Sequence, residues 1–417
     1  MNRRLRTGSK VAFAALAGGV LVSPALTQQQ TTPPIARYTI DAGTTSGLMA
    51  MASGGGVGAA LGMLRGGGGD QVSHELLLRL GSSRSATGDP KADHFMPAGA
   101  RLGASVPLVS PRPTTPGRRE GERTDQRNPQ LPEGRLLLFW GCGEKAAPGQ
   151  PVVIDFSKMA RGEIPPGLLA QSLNLPDDWS VSTGNSRTFG DWPNSQDTKT
   201  VAANSSLLGA HRISGNYSPE INFTLADDFM PALQATGRAL PSGALGLNWG
   251  ALPKATGYYA WAVGAGGGNN SRDMVWWTSS STQQFGGPMS DWISPSTAAQ
   301  LVRAGTVMAP SQTSCAISAE ALAAGGQAMM TQLFAYGPQA DFVYPPRPSN
   351  PRVAWNPEWI ARVRFRSNTM IMPGMEGMGQ QNTREVRQAE QQPPASGKPK
   401  CRSGLRGVAE RAAGLCE

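Results

Sequence analysis

Apolar and polar residues alternate most clearly in residues 243–280. Leu245, Leu247 and Trp249 are two positions apart, so one face of an extended segment is apolar. After a short connection that contains Pro253, residues 258–263 (YYAWAV) form a second run of side chains suited to a pleated surface. Both runs predict β-strands.

A hairpin and a third strand follow these two runs. Residues 264–270 (GAGGGNN) are too rich in glycine for regular structure and predict a hairpin loop. Residues 273–279 (DMVWWTS) have the composition of a further strand. We therefore predict an antiparallel meander of three strands between residues 243 and 280.

The last alternating stretch lies at residues 358–372 (EWIARVRFRSNTMIM). Its apolar and basic positions alternate, with one slip in the spacing at Ala361 that predicts a β-bulge. The pattern predicts a final strand with a basic outer face. The apolar set is Ile360, Val363 and Phe365, and the basic set is Arg362, Arg364 and Arg366.

Composition supports an all-β protein. The 417 residues include 52 glycines and 34 prolines, which interrupt helices and punctuate strands and turns. We predict tandem antiparallel β-sandwich domains joined by disordered Gly/Pro-rich linkers. The expected units are a signal peptide (1–27), a Gly-rich linker (28–70), a short β segment (71–110), a disordered Pro/Arg linker (111–130), two sandwich domains (131–232 and 233–372) and a disordered tail (373–417).

The N-terminus has the pattern of an export signal. Four basic residues precede the apolar run at 11–21, and small residues follow it. That run is short for a membrane span, so we expect cleavage, no transmembrane span afterwards, and a location in the periplasm, at the outer-membrane surface or outside the cell. Residues 42–64, uncharged and rich in glycine, predict either a flexible loop or a membrane-associating segment.

The net charge of +9 is concentrated outside the expected folded domains. The signal region carries four of the excess positive charges, the tail from Gln381 three, and residues 111–130 two. Because the folded portion lacks a basic stripe, we expect no nucleic-acid partner.

Four cysteines are present, and an exported chain enters an oxidising space where disulfides form. Cys401 and Cys416 are close enough in sequence to close a small loop, and Cys142 with Cys315 would then join distant segments. This is one of three pairings. The spacing of the cysteines does not suggest a zinc site.

Residues 246–263 (GLNWGALPKATGYYAWAV) resemble the second and third strands of fibronectin type III-like modules. The resemblance covers about 20 of 417 residues and implies a β-sandwich without implying any chemistry. The Gly-rich loop and the following Trp276–Trp277 strand depart from that pattern. The residues that match are Trp249, Pro253, Ala255, Thr256, Gly257 and Tyr258.

Aromatic residues on the predicted meander are candidates for a binding surface. If Tyr258 faces the core, then Tyr259 and Trp261 face outward, and Trp276 and Trp277 must point to opposite faces. An outward aromatic row would bind polysaccharide or an envelope protein. The alternative is that other elements cover both faces of the sheet. The four candidate ligand-binding residues are Tyr259, Trp261, Trp276 and Trp277.

A methionine-rich run at the end of the predicted final strand is a second candidate. Thioether sulfur is a soft ligand that suits Cu(I), and the run MIMPGMEGM resembles the Met-rich segments of periplasmic copper-handling proteins, although it contains no histidine. The alternative is a strand end followed by low-complexity tail. The candidate ligands are Met370, Met372, Met375 and Met378.

No catalytic motif stands out. The chain lacks Gly-x-Ser-x-Gly, and its three histidines are not in metal-ligand spacing. We therefore predict a non-catalytic binding or structural module of the bacterial envelope without a cofactor. The alternatives are a periplasmic Cu(I)-binding protein and a carbohydrate-active enzyme whose acidic pair converges only in the fold.

Overall fold

The computed structural model describes residues 32–47, 50, 72–111, 134–161, 180–266, 272–285, 287–326, 329–350 and 352–372. The expected signal peptide, most of the Gly-rich segment, nearly all of the Pro/Arg linker and the tail lie outside these ranges, as do Met375, Met378, Cys401 and Cys416. Residues 36–47 of the linker expected at 28–70 form a strand of the largest sheet, so that expectation was wrong for these residues. Among the described residues, no helix is both long and apolar enough to cross a membrane.

The described part of the chain is built mainly from β-strands, with three short α-helices. The helices are α1 (Phe156–Ala160), α2 (Pro295–Arg303) and α3 (Ala319–Gly325). The strands are β1 (Ala36–Gly47), β2 (Val72–Ser82), β3 (Ala92–Phe95), β4 (Val106–Pro107), β5 (Arg135–Trp140), β6 (Val152–Asp155), β7 (Thr188–Trp192), β8 (Gly209–Gly215), β9 (Ile221–Leu225), β10 (Ala235–Ala239), β11 (Leu245–Trp249), β12 (Gly257–Ala265), β13 (Met274–Thr278), β14 (Ser314–Ile317), β15 (Met330–Tyr344) and β16 (Trp359–Ile371).

One large sheet organises the fold. This main sheet has nine strands in the order β6-β5-β13-β12-β15-β16-β1-β2-β7. Its neighbours are antiparallel except for two parallel pairs, β1 with β16 and β5 with β13. Two smaller sheets have the orders β4-β3-β8-β9 and β10-β11-β14, and we call them the β8 sheet and the β11 sheet.

The main sheet has a core face and a second face. Alternate residues of each strand point to opposite faces, so Tyr38 and Ile40 of β1 lie on the core face and Asp41 lies on the second. The core face shares one hydrophobic cluster with both small sheets, for example through Ile213 and Leu247. On the second face, a smaller cluster joins Tyr259, Phe334 and Tyr336 to Met289, Ile293, Ala298, Leu301 and Val307.

The last strand alternates without the predicted slip. Ala361, Val363 and Phe365 are buried on the core face, while Ile360 lies on the second face with the arginines. The register irregularity is on the neighbouring strand, between Tyr336 and Gln339 of β15. The prediction of a bulge at Ala361 was therefore wrong, because a small buried alanine was read as a break in the apolar pattern.

The predicted meander is correct only in its second half. β12 and β13 pair as an antiparallel hairpin, but β11 pairs with β10 and β14 in the β11 sheet. The segment that resembles a fibronectin type III module thus contributes to two different sheets. The resemblance itself stays an expectation.

The all-β class is confirmed, and the order of the strands shows how the sheets are built. The main sheet combines β1, β2, β5, β6 and β7 with β12, β13, β15 and β16, so the boundary expected at 232/233 does not separate two sheets. A tandem immunoglobulin-like arrangement has no support from this order. The expected disulfide Cys142–Cys315 is present and bridges 173 residues, from the turn after β5 to β14.

Candidate functional site

The second face of the main sheet is partly covered and partly open. Residues 287–308, which include α2, cover its centre by packing on Tyr259, Phe334 and Tyr336. Beyond this cover, a continuous row of side chains from β13, through β12 and β15, to the end of β16 is only half-buried or exposed. This open part is the candidate functional site.

Three aromatic side chains form the centre of the open part, and we call them the aromatic shelf: Trp261, Trp276 and Phe285. The rings of Trp261 and Trp276 are stacked, with centroids 4.9 Å apart and an interplanar angle of 4°. Phe285 meets Trp276 edge-on, with centroids 5.4 Å apart, and 46% of its surface is exposed. Aromatic pairs in these two geometries are worth about 0.5–1.5 kcal/mol beyond their buried area, so the shelf holds its shape without a ligand.

Each tryptophan of the shelf is supported from a different side. Trp276 packs against the small cluster of Leu136, Leu138 and Ile154 on β5 and the edge strand β6. Trp261 packs against the cluster beneath residues 287–308. The shelf therefore bridges two apolar clusters, and only its outer surface faces solvent.

Two of the four aromatic residues expected at the surface are buried. Tyr259 is 1% exposed because residues 287–308 cover it, and Trp277 is 0% exposed because it points to the core face, where its indole N–H donates to the Gly141 carbonyl at 3.1 Å. The expectation of an outward Tyr259 was wrong, whereas Trp276 and Trp277 do point to opposite faces. Phe285 was missed since it lies in a polar loop (STQQFGG) without periodicity.

One polar group near the shelf, the Gln332 amide, is available for a ligand. Gln332 of β15 lies directly opposite Trp261 and is half-buried, and its amide makes no hydrogen bond to the part of the chain that the structure describes. The indole nitrogens of Trp261 and Trp276 also have no partner among the described residues, but they are buried and do not face solvent. An amide beside an aromatic surface can bind hydroxyl groups in both directions, as donor and as acceptor.

Three half-buried methionines lie on the same face, beyond Gln332. Met370 is directly opposite Gln332, and Met330 is two residues from Gln332 on β15. Met372, just after β16, continues the alternation of Met370. Of the four methionines predicted as metal ligands, the structure therefore places two on this face, and it adds Met330, which is distant in sequence.

Beside the open part, a cluster of charged residues lies on β1, β2 and β16. Asp41 is completely buried and makes a bidentate ion pair with Arg364 at 2.6 and 2.9 Å. It also accepts a hydrogen bond from the Arg79 guanidinium at 2.8 Å. Arg364 also donates to the Trp292 carbonyl at 3.1 Å. We call Asp41, Arg79 and Arg364 the Asp41 cluster.

Arg366 extends this charged region under Trp292. Its guanidinium lies 3.6 Å from the centre of the Trp292 ring and donates to Glu75 at 2.9 Å. Gly43 makes this arrangement feasible, because a Cβ there would lie 3.1 Å from the Glu75 carboxylate and 3.5 Å from the Trp292 ring. The arginines of β16 were expected to form a basic outer face. They are instead only 11–16% exposed and paired with carboxylates.

A neutral hydrogen-bonded chain occupies the core face between the main sheet and the β8 sheet. Tyr38 Oη lies 2.7 Å from His94 Nδ1, His94 Nε2 lies 2.9 Å from His211 Nδ1, and His211 Nε2 lies 2.7 Å from the Leu207 carbonyl. Because the Leu207 carbonyl only accepts, neutral His211 must carry its proton on Nε2. Its Nδ1 is then an acceptor, so neutral His94 carries its proton on Nε2 and accepts at Nδ1. Tyr38 therefore donates to His94, and His94 donates to His211.

Burial keeps this chain neutral. It lowers the pKa of His94 well below its usual value, with His211 as a second cause, and it lowers the pKa of His211. Burial raises the pKa of Tyr38 well above its usual value. His74, stacked on Phe229, also has its pKa lowered by burial. Burial thus favours the neutral form of His94 and His211, and to a smaller extent that of the half-buried His74.

The described residues contain no group of three His, Cys, Asp or Glu side chains that could hold a metal ion. The fold and the site define an all-β protein with an open aromatic surface. No family model, no curated protein and no solved structure matches this chain.

Proposed function

We propose that the protein is an exported, non-catalytic module of the bacterial cell envelope that binds carbohydrate through the aromatic shelf. The observation that carries this proposal is the geometry of Trp261, Trp276 and Phe285, a rigid aromatic surface open to solvent. Sugar rings present C–H groups that pack on such surfaces, and their hydroxyls need the kind of partner that the Gln332 amide offers.

Two further observations support export. The N-terminal charge and apolar pattern has the form of a signal peptide. The disulfide between Cys142 and Cys315 is of the kind that persists in oxidising compartments such as the periplasm. Polysaccharide of the envelope or of the surroundings is the ligand class present there.

Retention of the purified mature protein on insoluble cellulose, chitin and peptidoglycan tests the proposal. We expect retention on at least one of these polymers, and we expect Phe285→Ala and Trp276→Ala to weaken it about five- to tenfold, the value of one aromatic contact. Tyr344→Ala is the matched control, because Tyr344 is 51% exposed on the other face of the main sheet. It should bind like the parent.

Four results would contradict this proposal. If no polymer retains the parent protein, or if shelf variants and control are retained equally, the shelf is not a carbohydrate site. Binding to an envelope protein instead would assign the shelf to a protein partner. Release of reducing sugar from a retained polymer would identify a carbohydrate-active enzyme.

A further inference from the structure

The end of the open face nearest β15 and β16 brings together methionines from two strands. Met330 begins β15, Met370 is the penultimate residue of β16, and Met372 follows it. All three are half-buried on the second face, whereas Met230, Met289, Met308 and Met329 are buried in the hydrophobic clusters.

Strand register places these side chains close to one another. Thr331 pairs with Ile371 and Gln332 with Met370, so the antiparallel register sets Met330 opposite Met372. Cβ atoms of directly opposed residues are about 4.5–5.5 Å apart, and those of diagonal neighbours about 7–8 Å. Methionine has three side-chain torsions beyond Cα, which allow sulfur atoms at such separations to converge on one point.

We propose that Met330, Met370 and Met372 form a binding site for Cu(I). Thioether sulfur is a soft, uncharged ligand that selects Cu(I) over the harder divalent ions, and three such ligands from two paired strands make a trigonal set. Gln332 lies between Trp261 and Met370 in the strand register, so the aromatic shelf is not part of this site.

This site differs from the one expected from the sequence. The spacing of Met370, Met372, Met375 and Met378 indicates a site within one flexible segment, whereas the fold recruits Met330 from 40 positions earlier than Met370. The inference is independent of carbohydrate binding, because it depends on thioether chemistry and not on the shelf.

Anaerobic competition for Cu(I) against the chromophoric chelator bicinchoninate tests the proposal. The mature protein carries Cys401→Ser and Cys416→Ser so that free thiols do not bind the metal, and no reductant is added, which preserves the Cys142–Cys315 disulfide. We expect one Cu(I) per chain. The triple variant Met330→Leu, Met370→Leu, Met372→Leu keeps the side-chain volume and should bind about tenfold more weakly or worse.

Two control variants make the outcome decisive. Met274→Leu removes a methionine that is 47% exposed on β13, and Met375→Leu with Met378→Leu removes the remaining methionines of the sequence run. Both should bind Cu(I) like the parent. Three results would overturn the site: a parent that does not bind Cu(I), a triple variant that binds as tightly as the parent, or affinity that is lost with Met375 and Met378. Far-ultraviolet circular dichroism confirms that each variant is folded.

Discussion

Strand β1 supports two different polar arrangements on its two faces. Tyr38 begins the neutral chain with His94 and His211 on the core face, and Asp41 anchors the charged Asp41 cluster on the second face. Both Tyr38 and Asp41 are completely buried, only three residues apart. The comparison shows two ways in which a buried polar group is kept stable.

The neutral chain avoids charge altogether. Each donor meets one acceptor, from the Tyr38 hydroxyl to the Leu207 carbonyl, and burial favours the neutral form of both histidines. The Asp41 cluster instead keeps its charges and pairs a carboxylate with two guanidinium groups. We therefore expect protonation of the histidines to destabilise the first arrangement. We expect removal of one charged partner to destabilise the second.

The largest effect is expected from Asp41→Asn. This substitution leaves the mostly buried guanidinium of Arg364 without its carboxylate, and breaking one partner of a buried ion pair typically costs about 3–5 kcal/mol. Urea unfolding followed by tryptophan fluorescence measures the change in the free energy of unfolding.

Asp341→Asn is the control for that experiment. Asp341 also makes a bidentate pair with a β16 arginine, Arg362, but its own side chain is 39% exposed. Exposed pairs contribute about 1 kcal/mol or less. Equal losses for the two substitutions would show that burial of Asp41 has no special importance.

The neutral chain should make the protein acid-sensitive above the range in which carboxylates titrate. Unfolded histidine binds a proton below about pH 6.5, whereas the lowered pKa values keep His94 and His211 neutral in the folded state. The unfolded state therefore binds more protons, and stability falls as pH falls, by up to about 1.4 kcal/mol per pH unit for each histidine. Urea unfolding at intervals between pH 7.5 and 5.0, a range chosen around the histidine pKa, measures this slope.

The variant His74→Gln separates the contributions of the histidines. His74 is less buried than His94, so most of the slope should persist in this variant. A free energy of unfolding that stays constant across the acid range would contradict the neutral assignment of His94 and His211.

A smaller loss is expected from Tyr38→Phe. The substitution removes the hydroxyl that donates to His94 and leaves a buried nitrogen without a donor, which costs about 1–3 kcal/mol. The fall in stability with falling pH should persist in this variant, because burial is the main cause of the lowered pKa of both histidines. Chemical denaturation at neutral pH gives the loss, and unchanged stability would mean that the hydroxyl contributes nothing.

Much of the local structure could be predicted from the sequence, because alternation is a local signal. The hairpin of β12 and β13 and the final strand β16 followed from residue spacing, and the all-β class from spacing and composition. Sheet membership could not be derived in this way. β11 pairs with β14, more than 60 residues away, and nothing in the spacing of Leu245, Leu247 and Trp249 specifies that partner.

The site was predictable to a similar degree. Trp261 and Trp276 were identified from their strands, but the cover over Tyr259 comes from residues 287–308, whose position no local pattern encodes. Phe285 and Met330 depend on tertiary placement for the same reason. The arginines of β16 looked like a solvated face because their partners Asp41 and Glu75 lie near the other end of the sequence.

The parallel pairing of β1 with β16 has a consequence for how the chain folds. Residues 36–47 lie between β2 and a strand that ends at Ile371. The centre of the main sheet therefore stays incomplete until more than 300 further residues have been synthesised. Closure of so many distant contacts makes folding slow, and a chain truncated before Trp359 would expose both β1 and β15 as unpaired edges ready to aggregate.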